Sequence, residues 1–168
     1  TYLLLDEPAG MTIPTGPSDR GTISWVQPEG TEGLVTITVT VRDGGEDGFF
    51  TDSKSITLNV TAVNDQPVIT GLAPLVATED ILYTGTVAVN DPDDSGAGLT
   101  YLLVDEPAGM TISNGPSDRG TISWVPPEGT AGLVTFTVTV RDGGEDGFFT
   151  DSKSFTLNVT AVNDRPVI

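Results

Sequence analysis

The chain has no cysteine and no histidine, and only seven basic residues stand against 24 acidic ones. The first two absences exclude disulfide frameworks, zinc sites, thiol chemistry and the common catalytic dyads together. The shortage of Lys and Arg excludes nucleic acid as a partner, because phosphate neutralisation requires clustered cations. No stretch of about 20 apolar residues is present, so the sequence holds no membrane span, and no signal peptide is visible. Helical periodicity is also missing. The acid is spread through the chain, with a net −7 over residues 1–69, −5 over 70–99 and −5 over 100–168. Such a charge favours solubility by self-repulsion, and it also suits cation binding. Disorder is the third reading of high charge, but 37% apolar content in clean alternation argues against it.

What is present is a repeat. Residues 1–69 recur as 100–168 at an offset of 99, with 61 of 69 positions identical, and residues 70–99 occur once. The eight differences are Leu5/Val104, Pro14/Ser113, Thr15/Asn114, Gln27/Pro126, Glu32/Ala131, Ile37/Phe136, Ile56/Phe155 and Gln66/Arg165. Three of them exchange one apolar residue for another. The period is too long for a solenoid unit and suits one whole domain. Modular arrays of this kind span distance or present surfaces more often than they catalyse.

In the second copy Gly132 to Val140 alternates, with Val134, Phe136, Val138 and Val140 on one face and Thr on the other. Phe155, Leu157 and Val159 alternate likewise. Strands are further predicted at 67–75, 82–89, 100–105, 110–112 and 120–125, each bounded by Gly, Pro, Asp or Asn. Seven short strands in about 100 residues predict an all-β fold: tandem seven-stranded antiparallel Greek-key β-sandwiches of immunoglobulin-like type. The first copy begins at the third strand, so residues 1–66 read as a truncated repeat and 67–168 as a complete one. The two missing strands are expected upstream. Residues 67–89 could complete either copy, and connectivity through 90–99 into Thr100 favours the second. The first copy should then carry an open sheet edge, and the isolated chain is expected to dimerise or aggregate. Trp25 and Trp124 could be sugar platforms, but a Trp on the inward phase of a sandwich strand is more often core. Met11 and Met110, each in Pro-Ala-Gly-Met, read as packing residues after a turn.

Acidic residues gather at particular loops. Asn90-Asp91-Pro92-Asp93-Asp94 follows the second strand, Asp142-Gly143-Gly144 the sixth, and Asp43-Gly44-Gly45 is its twin. Asn64-Asp65-Gln66-Pro67 joins the copies and Asn163-Asp164-Arg165-Pro166 lies at the far end. Alternate loops of a sandwich fall at one pole, which predicts that Asp65, Asp91, Asp93 and Asp142 meet, with Asn64 or Asn90 beside them. Four carboxylates together call for a hard cation. Ca²⁺, with six to eight oxygen ligands in flexible geometry, suits them better than Mg²⁺. Each Asp-Gly turn alone is ordinary loop chemistry.

Val-Asn-Asp-Gln-Pro-Val-Ile, Ala-Thr-Glu-Asp, Val-Asn-Asp-Pro-Asp-Asp and Val-Arg-Asp-Gly-Gly stand in an order that resembles cadherin-type repeats. With Leu-Thr-Tyr-Leu-Leu, Pro-Ala-Gly-Met-Thr-Ile and Gly-Thr-Ile-Ser-Trp-Val-Pro-Pro, the pattern resembles the dystroglycan-type cadherin-like repeats of large bacterial surface and secreted proteins. The resemblance spans essentially the whole chain. It implies an extracellular or cell-surface adhesion repeat whose partners are neighbouring repeats of the same chain, another surface protein or a polysaccharide. It implies Ca²⁺ at the junction on Asn64, Asp65, Asp91, Asp93 and Asp142. Glu79, Asn163 and Asp164 correspond to an incomplete half-site at the far pole. Cadherins carry an Asp-Arg-Glu or similar motif before the sixth strand. Here Trp-Val-Gln-Pro-Glu-Gly offers only Glu29, which implies fewer or more weakly held ions.

Two other function classes compete. A carbohydrate-binding module would use Phe49, Phe50, Phe148 and Phe149, with one of each pair expected to pack inward. An enzyme would need a carboxylate pair such as Asp6/Glu7 or Glu46/Asp47. Adjacent residues on a strand point apart, so these read as loop charges and the chain as non-enzymatic. Asn59-Val-Thr61 and Asn158-Val-Thr160 match glycosylation sequons and read as chance occurrences within strands.

Overall fold

A computed structural model describes residues 1–45, 48–93, 96–143 and 147–165. The described residues form strands and turns with no helix, so none is long and apolar enough to cross a membrane. The chain divides into two compact units, Thr1–Ala62 and Val63–Ile168.

The second unit is a two-sheet sandwich. Its strands are β4 (Val68–Ala73), β5 (Val76–Thr78), β6 (Tyr83–Asn90), β7 (Thr100–Val104), β8 (Thr111–Ile112), β9 (Thr121–Trp124), β10 (Gly132–Arg141) and β11 (Thr150–Thr160). One sheet has the order β4-β6-β9-β8 and the other β5-β11-β10-β7, a Greek-key arrangement. Residues 67–89 therefore complete the second copy in ordinary chain order. The strand expected at 67–75 is β4, which ends at Ala73, and an unpredicted strand, β5, follows at Val76–Thr78 in the other sheet. Pro74 has no N–H to continue the ladder, so pairing with β6 ends at Ala73 and β5 joins β11 in parallel through Asn158↔Val76 to Thr160↔Thr78.

Alternation fixes the core. Along β10, Phe136, Val138 and Val140 point inward, and Phe155, Leu157 and Val159 answer from β11. Trp124 and Ile122 on β9 close the opposite wall. Trp124 is buried, as its strand phase predicts, and its Nε1–H donates to the Ala108 carbonyl at 3.2 Å. That carbonyl lies in the Pro-Ala-Gly-Met turn, where Gly109 takes φ +82° and Met110 turns into the core. Tyr83 is buried as well. Its hydroxyl donates to the Pro74 carbonyl at 2.6 Å, and burial pushes its pKa up to about 12. On the outer face the hydroxyls pair across the strands, Thr135 with Thr156, Thr137 with Ser154 and Thr139 with Ser152, at 2.8–2.9 Å.

The first unit has one three-stranded antiparallel sheet, β1 (Tyr2–Leu5), β2 (Gly33–Arg42) and β3 (Thr51–Val60), in that order. These strands are the repeat counterparts of β7, β10 and β11. Its second layer is reduced to a bridge between Thr12 and Ser24. The core is correspondingly small, with Leu4, Met11 and Ile37 buried and Trp25 half-buried. Within the unit as described, β3 pairs with β2 alone.

Candidate metal centre

At one pole of the second unit, three loops converge. Asn64 and Asp65 lie before β4, Asp91 and Asp93 between β6 and β7, and Asp142 just after β10. Asp142 is buried, and Oδ1 accepts the Phe149 N–H at 2.9 Å while Oδ2 accepts Asn64 Nδ2 at 3.1 Å. Asn64, also buried, extends the same amide to the Gly147 carbonyl at 3.4 Å. The Asp65 N–H donates to Asp93 Oδ2, and the Asp93 N–H to Asp91 Oδ1 at 3.1 Å. All five predicted residues thus belong to one pole. Carboxylate oxygens of Asp65 and Asp93 lie within 4.8 Å of each other. Two like charges that close repel, less strongly where water and salt screen them. Asp94 lies outside the described residues.

At the opposite pole Glu79 directly follows β5 and is buried. Oε1 accepts the Ala131 N–H at 2.8 Å and Oε2 the Val162 N–H at 3.2 Å. It ties the β9–β10 loop to the segment after β11, and two amide donors hold the charge. Beside it, exposed oxygens of Asp80, Glu128 and Asp164 lie within 4.8 Å of one another. The negative charge of Glu79 foremost, with desolvation and then Asp164 and Asp80, raises the Glu128 pKa above the usual carboxylate value. Asp164 thus joins this group as expected, and Asn163 is exposed next to it.

Asp80 and Glu128 were missed by the sequence reading. The signal was available: Glu128 is Glu29 moved by 99 residues, and Asp80 is the second acid of Ala-Thr-Glu-Asp. Glu29, in the first unit, is exposed, and its Oε1 accepts its neighbour Gly30's N–H at 3.3 Å.

The phenylalanine pairs depart from expectation. Phe49 and Phe50 are 63% and 74% exposed, Phe148 and Phe149 62% and 43%, so neither member of either pair packs inward. One ring of each pair is held outside by an arginine: the Arg42 guanidinium stacks on Phe49 at 3.7 Å and that of Arg141 on Phe148 at 3.8 Å. Asp6 and Glu7 are exposed at the turn after β1, with Asp6 at φ +59°. Glu46 and Asp47 lie outside the described residues.

Residues 66–160 match the model of a family described as putative Ig domain. No curated protein matches the chain. Among solved structures it is similar to human protocadherin-24 EC1-2, with a TM-score of 0.56 at 16% identity over 97% of this chain and 82% of that one. It is also similar to Drosophila N-cadherin EC1-4 (TM-score 0.56, 22% identity, 96% of this chain and 41% of that one). For human CDH23 EC21-23 the values are 0.55, 20%, 96% and 50%. At these identities the likeness is one of fold. The chain spans half or less of the latter two.

Proposed function

Given that the chain belongs to the putative Ig domain family, we propose that it is a calcium-binding structural and adhesion repeat of an extracellular surface protein. The observation that supports this is the relay Asp142–Asn64 and Asp65–Asp93–Asp91, which gathers four carboxylates from three loops onto one pole. The donor set is all hard oxygen and fits Ca²⁺. Asn64 gives its amide nitrogen to Asp142, so its amide oxygen is the atom a cation would meet. Asn64, Asp65, Asp91, Asp93 and Asp142 are the assigned ligands, as the cadherin-type motifs imply. Glu79, Asp80, Glu128 and Asp164 form the lower pole, and in a tandem array the next repeat would supply the rest. Ca²⁺ between repeats would stiffen the array, and its removal would let like charges drive the junction apart.

Thermal unfolding with titrated Ca²⁺ against EDTA, with Mg²⁺ as control, tests the reading. At about 100-fold excess over Kd, native-state binding adds ~2.7 kcal/mol. For a domain of this size that raises Tm by about 10 °C. Asp91→Ala with Asp93→Ala should abolish the rise. An unchanged calcium response in that double variant overturns the site, and no response in the wild-type chain overturns the function.

A second reading rests on the exposed Phe148 and Phe149 beside Arg141, repeated at Phe49, Phe50 and Arg42. An aromatic surface of this kind suits a carbohydrate-binding module. Retention on insoluble polysaccharide, lost in Phe148→Ala with Phe149→Ala, is its expected result; no retention removes it.

A further inference from the structure

Two of the differences between the copies fall together, at Ser113-Asn114 where the first copy has Pro14-Thr15. Their side chains build a closure on β7, the edge strand of its sheet. Asn114 Oδ1 accepts the Tyr101 N–H at 2.6 Å, and Nδ2 donates to the Tyr101 carbonyl at 2.9 Å. One side-chain amide thus takes both backbone groups of an edge residue, as a neighbouring strand would. The turn then leaves little room for anything but glycine. A Cβ at Gly115 would lie 2.6 Å from Asp118 Oδ1, which the Ser113 hydroxyl holds by a 2.7 Å bond. The same Ser113 Oγ accepts the Gly115 N–H at 3.0 Å.

Closure and turn together create Asn-Gly, the one place in this sequence where asparagine precedes glycine. That pair is chemically labile, because glycine has no side chain to hinder attack by its own nitrogen. Gly115 N gives up its proton and bonds to Asn114 Cγ, the Cγ–Nδ2 bond breaks, and ammonia leaves. Water then opens the five-membered imide at either carbonyl, leaving aspartate or isoaspartate. Asn114 is exposed, so water reaches it and burial offers no protection. Bonding does. In the folded unit the amide is fixed on Tyr101 through both its atoms, and the attacking nitrogen is turned onto Ser113.

We propose that Asn114–Gly115 is a modification site, closed while β7 and its turn are formed and converted once they open. The change runs one way. A carboxylate cannot donate, so the product sets an oxygen against the Tyr101 carbonyl and the edge of β7 no longer closes. Isoaspartate also lengthens the backbone by a carbon. The second unit therefore keeps a chemical record of having opened, whereas the first unit has Thr15 at this place and no amide to lose. No metal takes part, and the proposal stands apart from the calcium reading.

For the test, the 168-residue chain is held in EDTA at mildly alkaline pH, with and without urea above the unfolding transition. Conversion at Asn114 is followed by peptide mass spectrometry. It should be about tenfold or more slower in the native chain, since the bonds at Asn114 must open first. Ser113→Ala, shown to be folded by circular dichroism, should speed conversion in the native chain and leave the rate in urea unchanged. Asn114→Asp, which installs the carboxylate directly, should lower the Tm of the second unit by a few degrees. Thr15→Asp places the same charge at the twin position and should leave the first unit's transition where it is. Equal rates in native and unfolded chains, no conversion in urea, an unmoved native rate in Ser113→Ala, or a wild-type Tm in Asn114→Asp overturns the proposal.

Discussion

The two units contain the same antiparallel strand pair, and its inner face is mostly buried in one and mostly only part-covered in the other. Val140 is 0% exposed and Val41 39%, although both end the same Thr-Val-Thr-Val run. Trp124 is buried and Trp25 only half-buried, with the same 3.2 Å bond from Nε1 to an alanine carbonyl. The strand register is also identical, Phe136↔Phe155 against Ile37↔Ile56. Local structure thus follows from local sequence, whereas burial depends on a second layer, supplied in one unit by β4, β6 and β9. Alternation names the face that wants burial; a partner sheet decides whether it is granted.

The largest effect that would break this comparison is Trp124→Ala. Truncating the fully buried indole should cost about 3–5 kcal/mol, and Trp25→Ala less than half of that, read as separate transitions in urea unfolding. Equal costs would mean that the first unit has a complete core. Gly85→Ala comes next, because β6 has no counterpart in the first unit. A Cβ there overlaps the Tyr83 ring and meets Leu72 at 3.1 Å. A cost of about 1–3 kcal/mol is expected, with amide exchange along β6 rising toward that of the first unit.

A smaller effect separates Glu128 from Glu29. The folded pKa of Glu128 is raised, so the native state binds its proton more readily than the unfolded chain. In EDTA, the second unit should therefore gain stability as pH falls from 7 through the raised value, the gain being complete below the unfolded pKa of about 4.3. Glu128→Gln should remove this slope in Tm against pH while leaving the fold intact. The smallest change is Ile56→Phe, which gives the first unit the second unit's residue. With no sheet to cover it, stability should move by less than about 0.5 kcal/mol, whereas Phe155→Ile should cost up to about 1.5 kcal/mol.

Strand alternation, the repeat and the acidic loops were legible because each is a local pattern that the fold leaves unchanged. The pole holding Asp65, Asp91, Asp93 and Asp142 could be deduced from strand parity alone. The change of sheet at Pro74 was less legible, since the strand was read on to residue 75 and the short β5 beyond it was not expected; only the absent N–H marks the break. The outward Phe148 is met by the guanidinium of Arg141, the last residue of β10 and seven positions before it, a pairing that no period reveals. Glu79 read as one ligand among several. Its grip on Ala131 and Val162 requires three segments to meet, and separate sequence windows cannot show that.

The parallel pairing of β5 with β11 has a mechanical consequence. β11 is the last strand of the second unit and β5 follows β4, the first, across Pro74, and β5 and β11 run in the same direction. Tension that reaches β5 and β11 from opposite ends of the unit slides one strand along the other instead of peeling them apart. The bonds from Asn158 N–H to the Leu75 carbonyl and from Glu79 N–H to the Thr160 carbonyl, both 3.0 Å, then carry force together and must yield together. An array of such units would resist stretching up to a threshold and extend only beyond it.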